Sequence, residues 1–94
     1  MTILRIQHTV PNYEGWKRAF DGDPMDRKGS AVRRYHVYRS VTDANLVMID
    51  LEFDTAAPAE KLLEKLRVLW AGPGGAVMQN PAAWIVEIVE STSL

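Results

Sequence analysis

Apolar and polar positions alternate at the start of the chain, shift to helical spacing, and later repeat that change, so the pattern sets out six elements in order. Ile3 to Val10 is β-branched and apolar enough for a strand, stopped by Pro11. Asn12 then reads as a helix N-cap with Glu14 in the favourable first turn, and Tyr13, Trp16 and Phe20 recur on one helical face. Gly22 is the expected stop. Asp23-Pro24 resembles the cap and first position of a further helical turn, closed by Gly29. Val32 to Val41 reads as a second strand, and Leu46 to Phe53 as a third. Thr42-Asp43-Ala44-Asn45 supplies turn chemistry between them, which predicts an antiparallel hairpin. Thr55 caps a second helix whose first turn tolerates Pro58. Its apolar stripe is Ala59, Leu62, Leu63, Leu66, Leu69 and Trp70, with Glu60, Lys61, Glu64, Lys65 and Arg67 facing water. Gly72-Pro73-Gly74-Gly75 ends this helix, and a loop through Pro81 leads to a last strand, Ala83 to Glu90.

The order β-α-β-β-α-β is the ferredoxin-like α+β pattern: a four-stranded antiparallel sheet with two helices on one face and the other face bare. Alternation assigns the faces. Val47, Ile49, Leu51 and Phe53 point under the helices, while Met48, Asp50 and Glu52 point away. In the second strand Tyr35, Val37 and Val41 take the helix side with Arg39 intruding, which leaves Arg34, His36 and Tyr38 opposite. Leu4, Ile6, His8 and Val10 lie on the helix side, and Arg5 and Gln7 on the bare side. The last strand is apolar on both faces apart from Glu87, which is placed with the bare-face polar group.

Composition narrows the reading further. Ninety-four residues make one domain, residues 1–94, too small for a second core and thin in stability margin. With no cysteine, disulfides and thiolate metal sites are both excluded, and association is the remaining remedy. An apolar fraction of 47% is enough for a core and an interface, and a part-apolar bare sheet face is expected to pack against a copy of itself as a homodimer. A net charge of −1 with scattered charges predicts no nucleic-acid partner. No basic start precedes a long apolar run, and no stretch approaches the roughly 18 apolar residues that span a bilayer, so no membrane role and a cytoplasmic location are expected.

Several segments resemble a known family: His8-Thr9-Val10, then Tyr13 to Asp21, Val37-Tyr38-Arg39, Asp43-Ala44-Asn45 before Val47, and Glu52-Phe53-Asp54. Together they are similar to the dimeric α+β barrel proteins related to antibiotic biosynthesis monooxygenases and to cyclase-like small proteins. The resemblance covers most of the chain and fades after Gly72. It implies a homodimer whose two sheets close a barrel, with a pocket between each sheet and its helices or the partner. Its members oxygenate or cyclise aromatic polyketides and quinols without a cofactor, degrade haem, or have no established reaction. The haem-degrading relatives place a distorting tryptophan at the end of the second helix, as Trp70 stands here, and follow it with a haem-ligating histidine. This chain has Ala71-Gly72-Pro73 there and no histidine beyond His36, which argues against haem degradation.

Two groups of residues are candidates for chemistry. On the bare face Arg5, Gln7, Arg34, His36, Tyr38, Asp50, Glu52 and Glu87 form either a polar pocket or a closed set of ion pairs at a dimer seam. In the pocket, His36 serves as base or acid and Arg34 holds an anionic oxygen. On the helix face, His8 is either a core residue bonded to backbone or, as the resemblance suggests, a proton acceptor on a pocket floor near Tyr13 and Trp16. Trp16, Trp70 and Trp84 fit core positions, with Trp16 and Trp70 also candidates to touch a ligand. The Gly72–Gly75 segment lacks a phosphate-loop ending and is a plain connection or a lid. The two histidines fall on opposite faces, so no metal site is expected. With no cysteine and no Gly-x-Ser-x-Gly, nucleophilic catalysis is excluded. Neither haem, flavin nor metal is expected as cofactor. The function expected is a cofactor-independent monooxygenase or cyclase on an aromatic or polyketide-like substrate, or a non-catalytic dimeric module that binds a small molecule or serves structurally by stabilising a partner.

Overall fold

A computed structural model describes residues 1–72 and 79–94. Six elements follow in the expected order: β1 (Thr2–Thr9), α1 (Tyr13–Asp21), β2 (Arg34–Arg39), β3 (Leu46–Phe53), α2 (Ala56–Ala71) and β4 (Gln79–Glu87). The sheet runs β2-β3-β1-β4, antiparallel throughout, so β1 and β3 are the central strands. Among the described residues no helix is long and apolar enough to cross a membrane.

Local chemistry explains where the elements begin and end. The Asn12 side-chain oxygen accepts the Gly15 N–H at 2.8 Å, which satisfies one of the free donors of the first turn of α1. Thr55 stands at the N-cap of α2 in extended conformation, but its side chain makes no capping bond, contrary to expectation. The hairpin turn is tied by Ser40, whose hydroxyl accepts the Thr42 and Asp43 N–H groups, and by Asp43, which accepts the Asn45 N–H.

Residues 23–31 differ from the expected helical turn. They form consecutive tight turns, because Asp23 and Asp26 sit at φ 53° and 50°, outside the helical region. The second strand is shorter than expected at both ends, although the Arg33 N–H still donates to the Glu52 carbonyl. The last strand starts and ends earlier than expected. Pro81 does not delay it, because β4 is an edge strand and a proline there costs no ladder bond. Pro73, Gly74 and Gly75, the core of the glycine-rich segment, lie outside the described residues.

The core lies between sheet and helices. Leu4, Ile6, Val47, Ile49, Leu51 and Phe53 from the sheet meet Trp16 of α1 and Ala59, Leu62 and Leu63 of α2, all buried. Arg39, the charged residue on the helix side of β2, stays at the surface, with its guanidinium 4.4 Å from the Tyr13 ring and its Nε donating to the Ala44 carbonyl.

Candidate functional site

Cross-strand register lays out the bare face as three rows. These are Arg34, Glu52, Ile3 and Val86; then His36, Asp50, Arg5 and Trp84; then Tyr38, Met48, Gln7 and Ala82. Glu87 is not among them. It pairs with Thr2, two residues before Leu4, and so belongs to the parity of the helix face. Trp84 is also displaced from its expected core role. It is opposite Arg5 on the bare face and half exposed.

The middle of this face is a closed polar unit. Arg5 donates Nε to Asp50 Oδ1 at 2.8 Å and Nη2 to Oδ2 at 2.9 Å, and the Tyr38 hydroxyl donates to Oδ2 at 3.1 Å. Asp50 is buried, and the Arg5 bond holds its carboxyl below the ordinary value. Burial and the bond to Asp50 push the Tyr38 hydroxyl up. His36 Nδ1 lies 3.6 Å from Glu52 Oε2, and the His36 ring stacks on Tyr38. Arg34 is exposed, opposite Glu52. The polar groups of this face are thus largely turned toward one another.

The helix side carries a cavity of about 110 Å³, partly open to solvent. Its walls are Ile6, Ile49 and Leu51 of the sheet, Trp16, Ala19 and Phe20 of α1, and Leu62, Leu66 and Leu69 of α2, with Asp23, Pro24, Met25 and Arg27 from the turns after α1. Engineered apolar cavities of about 150 Å³ stay dry and take up benzene, so this one suits roughly a single ring. Trp16, a ligand candidate in the sequence, lines this cavity. Trp70 packs against the core one residue beyond Leu69.

His8 lies under this site. It is buried, and its ring is 5.3 Å from that of Trp16, which in turn lines the cavity. The core reading of His8 predicts a backbone partner, yet among the described residues neither ring nitrogen has any hydrogen-bond partner. Burial lowers its pKa from 6.5 to about 4, so the imidazole is neutral at pH 7. The pairing of β1 with β4 is interrupted at His8: Gln7 faces Ala82 and Thr9 faces Gln79, which places Asn80 and Pro81 against one residue. Asn80 takes φ 51° in this bulge. Bulges of this kind concentrate beside sites where a side chain is re-aimed. Among the described residues no cluster of metal-ligating side chains is found.

No protein-family model matches the chain, and no curated protein matches its sequence. Solved structures do match. A variant of SnoaB, a cofactor-independent oxygenase from Streptomyces nogalater, superposes with a TM-score of 0.76 at 10% identity, covering 96% of this chain and 94% of that one. A protein of Arabidopsis thaliana gives 0.71 at 10% identity over the whole of both chains. An antibiotic biosynthesis monooxygenase-like protein from Nitrosomonas europaea gives 0.63 at 14% identity, with 96% and 100% covered. At such identities the likeness defines the fold. It is the ferredoxin-like α+β fold, shared with structures described as antibiotic biosynthesis monooxygenases.

Proposed function

We propose that the protein binds a small aromatic molecule in the cavity between sheet and helices, and that it works as a homodimer joined through its bare sheet faces. The observation that carries the reading is the ring-sized apolar cavity beside a buried histidine whose ring nitrogens have no hydrogen-bond partner among the described residues. Cofactor-independent oxygenation or cyclisation is the chemistry this arrangement supports, in keeping with SnoaB. A neutral imidazole takes a proton from an acidic ring carbon or phenol, and the anion formed beside it stabilises the imidazolium as an ion pair in a dry site. In the oxygenation, dioxygen is the oxidant: a ring CH₂ becomes C=O, and the second oxygen atom leaves as water with both hydrogens. Trp16 stands between His8 and the cavity, so this step requires Trp16 to turn. The same barrier favours a second reading, a binding module without catalysis.

Leu66→Trp, which fills the cavity from α2, is expected to abolish binding of 4-methylphenol in a titration followed by NMR. An overpacked core costs about 1–3 kcal/mol, so the fold should survive. Unchanged binding in this variant would place the ligand elsewhere.

The dimer rests on Trp84 and Val86, exposed along β4, and Ile88 just beyond its end, with Tyr38 exposed at the opposite edge of the sheet. Trp84→Glu is expected to halve the mass measured by sedimentation equilibrium. A folded wild-type monomer at micromolar concentration would overturn the dimer.

A further inference from the structure

Strands and helices supply every wall of the cavity but one. The remaining wall is the run of tight turns after α1, which brings Asp23, Pro24, Met25 and Arg27 to it. We infer that residues 24–30 are a strap that opens to admit the ligand, hinged at Asp23 and Ala31 and latched shut by Arg27. The inference rests on the proposal that the cavity takes an aromatic ring and adds the route by which the ring enters.

The strap is one layer thick. Met25 and Arg27 are half-buried, while Pro24, Asp26 and Lys28 are exposed. Met25 packs against the core and so closes the cavity on this side. A second cleft, about 180 Å³, lies between Ser30 and Ala31 and the α2 residues Pro58, Lys61 and Lys65, and Leu62 borders both spaces. The end of the strap is therefore not packed tightly against α2, which leaves it room to move. Both boundaries are special backbone positions. Asp23 sits at φ 53° and Ala31 at φ 71°, in the left-handed region that a residue with a Cβ adopts at a cost. Moving segments turn about a few such terminal positions.

The hydrogen bonds of the strap are local. Ser30 Oγ donates to the Met25 carbonyl, the Ser30 N–H to the Asp26 carbonyl, the Val32 N–H to the Arg27 carbonyl, and the Arg27 N–H to Asp23 Oδ1. They make the strap a unit without tying it to the sheet or to either helix. Among the described residues the polar tie to both is Arg27. Its guanidinium lies 4.0 Å from the Phe20 ring centroid and 4.8 Å from that of Tyr35, and Nη1 donates to the Phe20 carbonyl at 2.7 Å. One side chain thus joins the strap to α1 and β2. Its charged end is engaged there and with Asp23, whose Oδ1 is 3.3 Å from Nε, so the cavity wall stays apolar. Cation–π contacts of this kind hold a closed form in the majority and still let it open.

The test titrates 1,4-dimethylbenzene into the full chain and follows ligand kinetics and amide hydrogen exchange by NMR. Arg27→Met keeps an apolar stem and is expected to speed both binding and release about tenfold, with little change in affinity. Exchange of the Ser30 and Val32 amides should quicken by a like factor while the amides of β1 and β3 stay as they were. Ala31→Gly relieves the closed form of its strain and is expected to slow ligand release severalfold. The opposite signs matter, because simple loosening of a loop speeds release in both variants. That result, or unchanged ligand kinetics in Arg27→Met, overturns the strap and leaves the cavity standing. Unchanged amide exchange at Ser30 and Val32 in Arg27→Met overturns the latch. If 1,4-dimethylbenzene fails to bind the wild type, the cavity reading itself falls and this inference with it.

Discussion

Acidification from pH 6.5 toward pH 4 is expected to remove about 3 kcal/mol of stability through His8, and His8→Phe is expected to abolish that loss. Burial lowers the His8 pKa from 6.5 to about 4, and one pKa unit corresponds to about 1.4 kcal/mol. The unfolded chain binds the proton across this range while the folded chain does not, so acid draws the equilibrium toward unfolding. The stabilisation is complete above pH 6.5, declines as pH falls, and stops changing once the folded form also protonates below about 4. Phenylalanine keeps a ring against Trp16 and removes two buried nitrogens that have no partner among the described residues, so at pH 7 the variant should be as stable as the wild type or more so. Urea titrations at several pH values measure this directly. If His8→Phe retains the same decline between pH 6.5 and 4, His8 is not the buried neutral group described here.

Arg5→Met is expected to be the most damaging single change on the sheet's bare face, at about 2 kcal/mol. Loss of one partner from a buried ion pair costs about 3–5 kcal/mol. The Arg5 side chain is 43% exposed while that of Asp50 is 5% exposed, so water offsets part of that penalty. Tyr38 still donates to Asp50 in the variant, and Tyr38→Phe alone should cost about 1 kcal/mol. Combining Arg5→Met with Asp50→Leu should recover much of the loss, because no unpaired carboxylate then remains buried. A double variant no better than Arg5→Met would show that the carboxylate is not the cause. The pair also shapes acid stability in a different window. The Asp50 pKa lies below 3.8, so its contribution is present above that value and is lost only as pH falls further. Acid unfolding should therefore have an upper limb due to His8 and a lower limb due to Asp50.

Much of the fold is written in local periodicity. The alternation of Val47, Ile49, Leu51 and Phe53 with Met48, Asp50 and Glu52 identifies both faces of β3, and the register confirms it pair by pair. The stripe from Ala59 to Trp70 turns the correct face of α2 to the core, and Asn12 caps α1 as its side chain predicts. His8, Trp16, Asp50 and Tyr38 were legible as candidates because each interrupts or enlarges a pattern that is otherwise regular. Alternation does not survive irregularity in the ladder. The bulge opposite His8 and the early start of β4 set the register that moves Glu87 off the bare face and Trp84 onto it.

The resemblance implied a pocket between sheet and helices, but its walls were illegible in the pattern for a different reason. Its walls come from Ile6, Trp16, Ile49, Leu62 and Arg27, residues far apart in the chain, and its volume is the gap left when two helices and a turn settle on one sheet. Asp23 and Arg27, which line it from the turns after α1, carry no motif, and the positive φ of Asp23 has no counterpart in composition or spacing. Periodicity is a property of neighbours along the chain, so it decides elements, faces and fold. That His8 is buried with no hydrogen-bond partner among the described residues depends on groups brought together only by packing, and only the folded chain decides it.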